Sequence, residues 1–269
     1  MSAVLSRRTY AVFALAVLSI ALIAAFVGFE VGGETVALWV SDLGGALVVL
    51  VGAIFILGVA FSFGKGEGLR TQWMFVGLGA LSFAIGDLVW TYFEAVRGID
   101  PYPSLADVFY LLQYPLLAWG LIRAGVAYRG LLDVRKPFYI AILIGAIGVA
   151  ALYFGLLKPV IFTWDDTLMV KALSSIYPVA DVLVGLVPAL FLVLVVAQLG
   201  GGRFGWPWMA VVVGVTLIAL TDTAYSWLAA VELYESPSVI DYGWLLGYSA
   251  LAVGASIALD IARPIRRVK

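Results

Sequence analysis

The chain has 269 residues, of which 64% are hydrophobic and only 12% charged, and its formal net charge is −1. An average soluble domain is about half apolar and about a quarter charged, so the excess apolar surface is expected to face lipid. The near-zero charge gives no support to nucleic-acid binding. Because the chain contains neither Cys nor His, disulfides, iron–sulfur clusters and the usual ligands of haem and zinc are excluded.

Eight apolar segments are long enough to cross a bilayer as helices, which takes about 20 residues. Short loops that contain Gly, Pro or charged residues separate them. The segments cover residues 10–29, 38–63, 72–96, 104–127, 137–157, 175–199, 206–231 and 238–262. The sequence therefore predicts an all-α integral membrane protein with eight transmembrane helices in contact with the lipid bilayer.

Lys and Arg residues are distributed unevenly between the two sides of these predicted helices. Of the 16 such residues, thirteen fall on the side that carries both termini. Three fall on the other side, namely Arg97, Lys158 and Lys171. Because positively charged loops stay in the cytoplasm, we predict a multi-pass protein of the cell membrane with both termini cytoplasmic.

The two halves of the sequence resemble each other. With one gap, the aligned pairs are Trp73 with Trp208, Asp87 with Asp222, Asp107 with Asp241, Tyr110 with Trp244 and Tyr114 with Tyr248. The predicted unit is a four-helix membrane repeat that is used twice, in residues 1–132 and 133–269. Since an even number of helices gives both halves the same orientation, we expect a pseudo-two-fold axis along the membrane normal.

Two aspartates, Asp87 and Asp222, lie deep within predicted helices. Charged side chains inside a bilayer are costly and usually face a bundle interior or a water-filled cavity. At helical spacing, Asp87 shares one face with Trp90 and Glu94, and Asp222 shares one with Tyr225. Two interpretations remain open: a site for a ligand, cation or proton, or polar clamps that hold helices together.

Asp107 and Asp241 each follow a serine by three residues, as in the Ser-x-x-acid capping box at a helix start. The acid then also faces the positive end of the helix dipole. This structural role does not exclude a second one, because an aromatic stripe extends from each aspartate: Tyr110 and Tyr114 after Asp107, Trp244 and Tyr248 after Asp241.

Asp42 and Asp181 are predicted to begin helices two and six near the same membrane depth as the other aspartates. Aromatic rings beside carboxylates favour an organic cation, although Trp and Tyr also concentrate at membrane interfaces. The candidate ligand-binding residues are Asp87, Trp90, Glu94, Asp107, Tyr110, Tyr114, Asp222, Tyr225, Asp241, Trp244 and Tyr248. No catalytic or metal-binding motif is recognised, and nothing in the sequence identifies a cofactor.

The stretch from Gly86 to Trp90, followed by residues 102–112 and 114–117, resembles the multi-pass N-terminal membrane sensor domain of many bacterial and archaeal diguanylate cyclases, phosphodiesterases and histidine kinases. The resemblance implies a membrane sensor module whose stimulus is unknown. No catalytic output domain follows Arg263, so we expect the module to act through a partner protein or as a homo-oligomer.

The leading hypothesis is therefore a non-enzymatic sensor or ligand-binding module in the membrane, with a small cationic ligand and a protein partner. The first alternative is a small transporter coupled to protons or cations through Asp87 and Asp222. The second is a structural subunit of a larger membrane complex. Polar residues become fewer toward the cytoplasmic side, which favours a pocket open only to the outside over a transport path.

Overall fold

The computed structural model describes residues 5–162, 167–200, 203–231 and 233–266, and every regular element within these ranges is helical. Arg267 and Lys269, which contribute to the charge bias, lie outside the described residues. The α-helices are α1 (Arg7–Gly28), α2 (Glu34–Ser62), α3 (Gly68–Thr91), α4 (Ala106–Val126), α5 (Arg135–Leu152), α6 (Lys158–Phe162), α7 (Leu168–Ala180), α8 (Val187–Ala197), α9 (Trp206–Ala230) and α10 (Asp241–Arg266).

Three π-helical segments extend or join these helices. Tyr92–Val96 continues α3, Tyr153–Leu157 joins α5 to α6, and Asp181–Leu186 joins α7 to α8. A short 3-10 turn, Arg203–Gly205, precedes α9. Because π-helical turns are wider than α-helical ones and are frequent at functional sites, they change which residues share a face in the segments that follow.

Seven helical stretches among the described residues are long and apolar enough to cross a membrane, judged by length and composition. They are Arg7–Gly28, Glu34–Ser62, Gly68–Val96, Arg135–Leu157, Leu168–Ala197, Arg203–Ala229 and Asp241–Ala262. The chain is thus a helical multi-pass membrane protein. The predicted span 104–127 corresponds to α4, which has 21 residues but is more polar than these seven, since it carries Asp107, Gln113 and Arg123.

Two predicted helix starts are wrong. Asp42 lies inside α2, which begins at Glu34, and Asp181 lies within the continuous helical stretch Leu168–Ala197. In the second case Thr167 caps the helix, because its hydroxyl accepts a hydrogen bond from the Val170 N–H at 3.3 Å. α2 begins with Glu34 and Thr35 ahead of its apolar run, and in α7 polar residues such as Lys171 interrupt the apolar residues soon after Leu168. A prediction based on apolar length does not detect such starts.

The apolar core lies where α2, α3, α9 and α10 meet. At its centre Trp73 of α3 stacks on Trp208 of α9, with ring centroids 5.0 Å apart and an interplanar angle of 9°. α10 packs against α2 and α1, whereas α4 packs against α8 and the π-helical segment that precedes it. Aromatic pairs of this kind add roughly 0.5–1.5 kcal/mol beyond the area that they bury.

Glycines allow two helix pairs to approach closely. A Cβ on Gly120 of α4 would lie 3.0 Å from the backbone oxygen of Gln72 in α3. A Cβ on Gly254 of α10 would lie 2.7 Å from the backbone oxygen of Pro207 in α9. Both distances are too short for any larger residue without movement of a backbone, so these positions fix the spacing of α3 to α4 and of α9 to α10.

A polar cluster joins α1 to α10. The Arg8 guanidinium forms an ion pair with Asp260, at 2.5 Å between Nη2 and Oδ1. The other carboxylate oxygen of Asp260 accepts hydrogen bonds from the Ser6 N–H at 3.0 Å and the Thr9 hydroxyl at 2.7 Å. Since the membrane-spanning part of α1 is largely exposed, these bonds set its rotation against α10.

Candidate functional site

A cavity of about 150 Å³ lies among α2, α3, α4, α9 and α10. Each of these helices contributes one aspartate to its wall: Asp42, Asp87, Asp107, Asp222 and Asp241. A single buried water needs only about 10–15 Å³, so the cavity has room for a small organic molecule.

The two aspartates predicted to lie deep in their helices both face this cavity. The Tyr110 hydroxyl donates to Asp87 Oδ1 at 2.9 Å, and Trp244 Nε1 donates to Asp222 Oδ1 at 2.8 Å. The first bond joins α4 to α3 and the second joins α10 to α9. Both donors are uncharged. The donors therefore orient the carboxyl groups and leave any negative charge on them uncompensated.

Asp107 and Asp241 combine the predicted role at a helix start with a place in the cavity wall. Oδ2 of Asp107 accepts the Ser104 N–H, and Oδ2 of Asp241 accepts the Ser238 N–H, at 2.7 Å in both cases. This is the carboxylate half of a capping box. The interpretation of both aspartates as capping residues agrees with these contacts.

Tyrosines from elsewhere in the chain hold the second oxygens of the same two aspartates. Tyr177 of α7 donates to Asp107 Oδ1 at 2.6 Å, and Tyr234 donates to Asp241 Oδ1 at 3.1 Å. Burial, with a further contribution from Asp241, raises the pKa of the Tyr234 phenol well above its usual value. Tyr234 thus stays protonated and neutral, and it holds Asp241 without neutralising it.

Two further contacts between carboxyl groups involve aspartates of the cavity wall. Asp181 is 2% exposed, accepts from the Tyr114 hydroxyl at 2.8 Å and lies against the carboxyl of Asp222. The carboxyl of Asp42 lies against that of Glu94. Oδ2 of Asp42 and Oδ2 of Asp181 are buried without a hydrogen-bond partner in the part of the chain that the structure describes. Adjacent carboxylates repel each other, so each pair favours a proton or a cation between its members.

Among the described residues that line the cavity there is no Lys or Arg. Likewise, no three Asp or Glu side chains in the described ranges are close enough together to hold a metal ion. The acids therefore do not converge on one point, and Tyr and Trp side chains line the same cavity. Tyr225 lies at the centre of one such aromatic wall, with its ring centroid 5.8 Å from that of Trp244 and 4.7 Å from that of Tyr234.

Nine of the eleven predicted ligand-binding residues line this one cavity. They are Asp87, Trp90, Asp107, Tyr110, Tyr114, Asp222, Tyr225, Asp241 and Trp244. Tyr248 does not line it: this residue is buried, donates to Gln113 Oε1 and stacks on Phe83 with centroids 4.4 Å apart. Its ring supports the residues that form the wall.

Glu94 also does not line the cavity. It lines an adjoining pocket and accepts a hydrogen bond from Trp90 Nε1. The prediction assumed 3.6 residues per turn between Asp87 and Glu94, but Glu94 lies in the π-helical segment Tyr92–Val96. The wider turn rotates Glu94 away from the face that Asp87 occupies.

Several polar residues of the wall were missed by the sequence reasoning. They are Ser41, Tyr102, Gln113, Ser174, Tyr177, Tyr234, Ser236 and Tyr242. Sequence signals existed for two of them. Tyr102 lies within the stretch that carries the sensor-domain resemblance, and Tyr177 precedes Asp181 by one helical turn. Tyr102 also contacts Ser174, at 2.9 Å between the hydroxyl oxygens. The two residues are far apart in the chain, so no local sequence pattern predicts this contact.

No protein-family model, no curated protein and no solved structure matches this chain. Its functional assignment therefore depends on the geometry of the cavity.

Proposed function

We propose that this chain is a non-enzymatic membrane sensor or ligand-binding module whose cavity takes a small organic cation. The observation that carries the proposal is the wall of five aspartates, each from a different helix, with neutral Tyr and Trp donors and no Lys or Arg among the described lining residues. Negative charge buried without a partner is costly. A bound cation offsets that cost, whereas a neutral or anionic ligand does not.

The arrangement of the wall favours an organic cation over a metal ion. The carboxyl groups are distributed around the cavity instead of converging on one point. The aromatic side chains of Trp90, Tyr225 and Trp244 line the same cavity. An ammonium group gains about 0.5–2 kcal/mol from each well-placed ring, and more Coulomb energy from the carboxylates around it.

We further propose that α4 is an eighth span, and that residues 1–132 and 133–269 form two four-helix repeats. Three features support this. The aligned residues Trp73 and Trp208 stack on each other. The contact of α2 with α10 has a counterpart in the contact of α8 with α4. The acid–aromatic bonds of Asp87 and Asp222 also correspond. Eight spans keep both termini on one side, which the charge bias assigns to the cytoplasm.

Helix α10 is the proposed route from the cavity to a partner protein. It carries Asp241 and Trp244 in the cavity wall and, far along the same helix, Asp260 in the polar cluster with α1. A cation bound between Asp87 and Asp222 would pull on Asp222 and on the Trp244 side chain that donates to it, and would shift α10 relative to α1 as a rigid element.

A proton-coupled transporter is the second candidate. The contact between the Asp181 and Asp222 carboxyl groups favours it, because such a pair readily takes up and releases a shared proton. In that case the cavity would be one binding site along a transport path, and the fraction of protein with a bound cation would depend on pH.

Binding of tetramethylammonium to the protein in lipid nanodiscs tests the proposal. Titration calorimetry should give saturable binding, weakened at least about tenfold by Asp87→Asn or Asp222→Asn. Asn keeps the shape and most hydrogen bonds and removes the charge. Asp133→Asn is the matched control, since Asp133 is exposed and lines neither cavity nor pocket.

Three results would count against the sensor proposal. Absence of binding to the wild-type protein would remove the cation site. Folded Asp→Asn variants with wild-type affinity would make the acids structural clamps, as expected for a subunit of a larger complex. Retained binding with loss of pH-dependent uptake into proteoliposomes would favour the transporter.

A further inference from the structure

A second pocket, of about 320 Å³, adjoins the cavity at the loop between α3 and α4. The cavity and the pocket share four wall residues, namely Trp90, Tyr225, Tyr234 and Ser236. Gly98, Ile99 and Asp100 on the far side of the pocket are exposed. The pocket therefore lies between the surface and the cavity, with a largely aromatic wall common to both.

The pocket contains its own carboxyl groups, from Glu94 and Asp100. Each is held by an uncharged donor: Glu94 accepts from Trp90 Nε1, and Asp100 Oδ1 accepts from the Tyr102 N–H at 3.0 Å. Neither forms an ion pair with a Lys or Arg of the described ranges. Arg97 follows Glu94 closely in sequence but is exposed and does not line the pocket.

The acids of the two spaces follow one another along the same part of the chain. Glu94 lies seven residues beyond Asp87, farther along the continuous helical stretch Gly68–Val96. Trp90 lies between them in sequence and belongs to both walls. Asp42 lines the cavity and has its carboxyl against that of Glu94, so negative groups continue from one space to the other.

We infer that the ligand is a linear dication of the alkyl-diamine or polyamine class, an inference that rests on the proposed function. One ammonium lies between Asp87 and Asp222 in the cavity, and the second lies beside Glu94 and Asp100 in the pocket. The methylene chain packs on the faces of the shared aromatic residues. A compact cation fills only the first position and gains nothing from the second.

Matched mono- and diamines test this inference. Hexylamine and hexamethylenediamine have the same chain and differ in one ammonium group. We expect the wild-type protein in nanodiscs to bind the diamine about tenfold more tightly than the monoamine. The ratio of the two affinities should fall toward one in the double variant Glu94→Gln, Asp100→Asn, and in Asp100→Asn alone it should fall part of the way.

The control variant is Glu34→Gln, which removes one exposed carboxylate in the first turn of α2. Glu34 lines neither the cavity nor the pocket. It should keep the wild-type ratio. Equal affinity of both amines for the wild-type protein would overturn the dication inference and leave the proposed cation site intact. A wild-type ratio in the folded double variant would also overturn it. Absence of binding by either amine and by tetramethylammonium would reject the proposed function itself.

Discussion

Replacement of Gly86 by Ala should disturb the cavity without changing any polar residue in its wall. Gly86 is buried in α3, next to Asp87. A Cβ there would lie 2.5 Å from Cε1 and 2.7 Å from Cδ1 of the Tyr110 ring, well inside the contact distance of carbon atoms. Phe83 packs on the same ring, with centroids 5.0 Å apart, so the ring must tilt. Its hydroxyl then leaves Asp87 Oδ1, which it now meets at 2.9 Å.

The expected change in the free energy of unfolding is the balance of two effects of opposite sign. Overpacking of a filled site costs about 1–3 kcal/mol, and loss of the tyrosine hydrogen bond costs a similar amount if the ring moves instead. Replacement of a helical Gly by Ala gains about 1 kcal/mol in helix propensity. Gly58 in α2 provides the matched control, because a Cβ there has nothing within 4 Å. Gly86→Ala should therefore be less stable than Gly58→Ala by about 1–3 kcal/mol.

Unfolding in mixed micelles with increasing dodecyl sulfate, followed by tryptophan fluorescence, measures this difference. Titration with tetramethylammonium provides the second measurement, in which Gly86→Ala should bind more weakly and Gly58→Ala should bind as the wild type does. If the two alanine variants are equally stable and bind the probe equally well, Tyr110 does not occupy the space beside Gly86, and its proposed role in holding Asp87 is wrong.

Two other predictions concern the bundle. Asp260→Asn should lower stability by about 1–3 kcal/mol in the same unfolding assay, because the ion pair that joins α10 to α1 is lost; a variant as stable as the wild type would show that this cluster contributes nothing. If α4 spans the membrane, a cysteine at Ile99 should react with an impermeant maleimide outside, and one at Leu131 only after permeabilisation. Both positions are exposed and the chain has no native cysteine; labelling of both from one side would rule out the eighth span.

Features encoded over short distances could be predicted from the sequence. The Ser-x-x-Asp patterns at Asp107 and Asp241 identified two helix starts, because capping depends on residues only three apart. Apolar length identified the seven stretches of the described residues that can cross a membrane, because a lipid bilayer sets a minimum length for every spanning helix. The cost of a carboxylate in a bilayer pointed to Asp87 and Asp222, and both line the cavity.

Features that depend on distant contacts or on departures from ideal helices could not be predicted. Tyr177 and Asp107 are 70 residues apart in the chain, and no local pattern links them. Glu94 lies in a π-helical segment, which changes the direction in which its side chain leaves the helix. The spacing of polar residues in the sequence does not reveal this change. Asp181 was placed at a helix start because the apolar run begins near it, whereas the helix begins at Leu168.

The central claim, that the acidic and aromatic cavity holds an organic cation, is tested most directly by locating one there. Crystals of the protein soaked with tetramethylarsonium, an analogue of tetramethylammonium with an anomalously scattering centre, would mark the cation in a difference map. We predict an arsenic peak between Asp87 and Asp222, within about 6 Å of the Trp244 ring. Arsenic peaks only on the outer surface of the bundle, with the cavity empty at a saturating concentration, would contradict the claim.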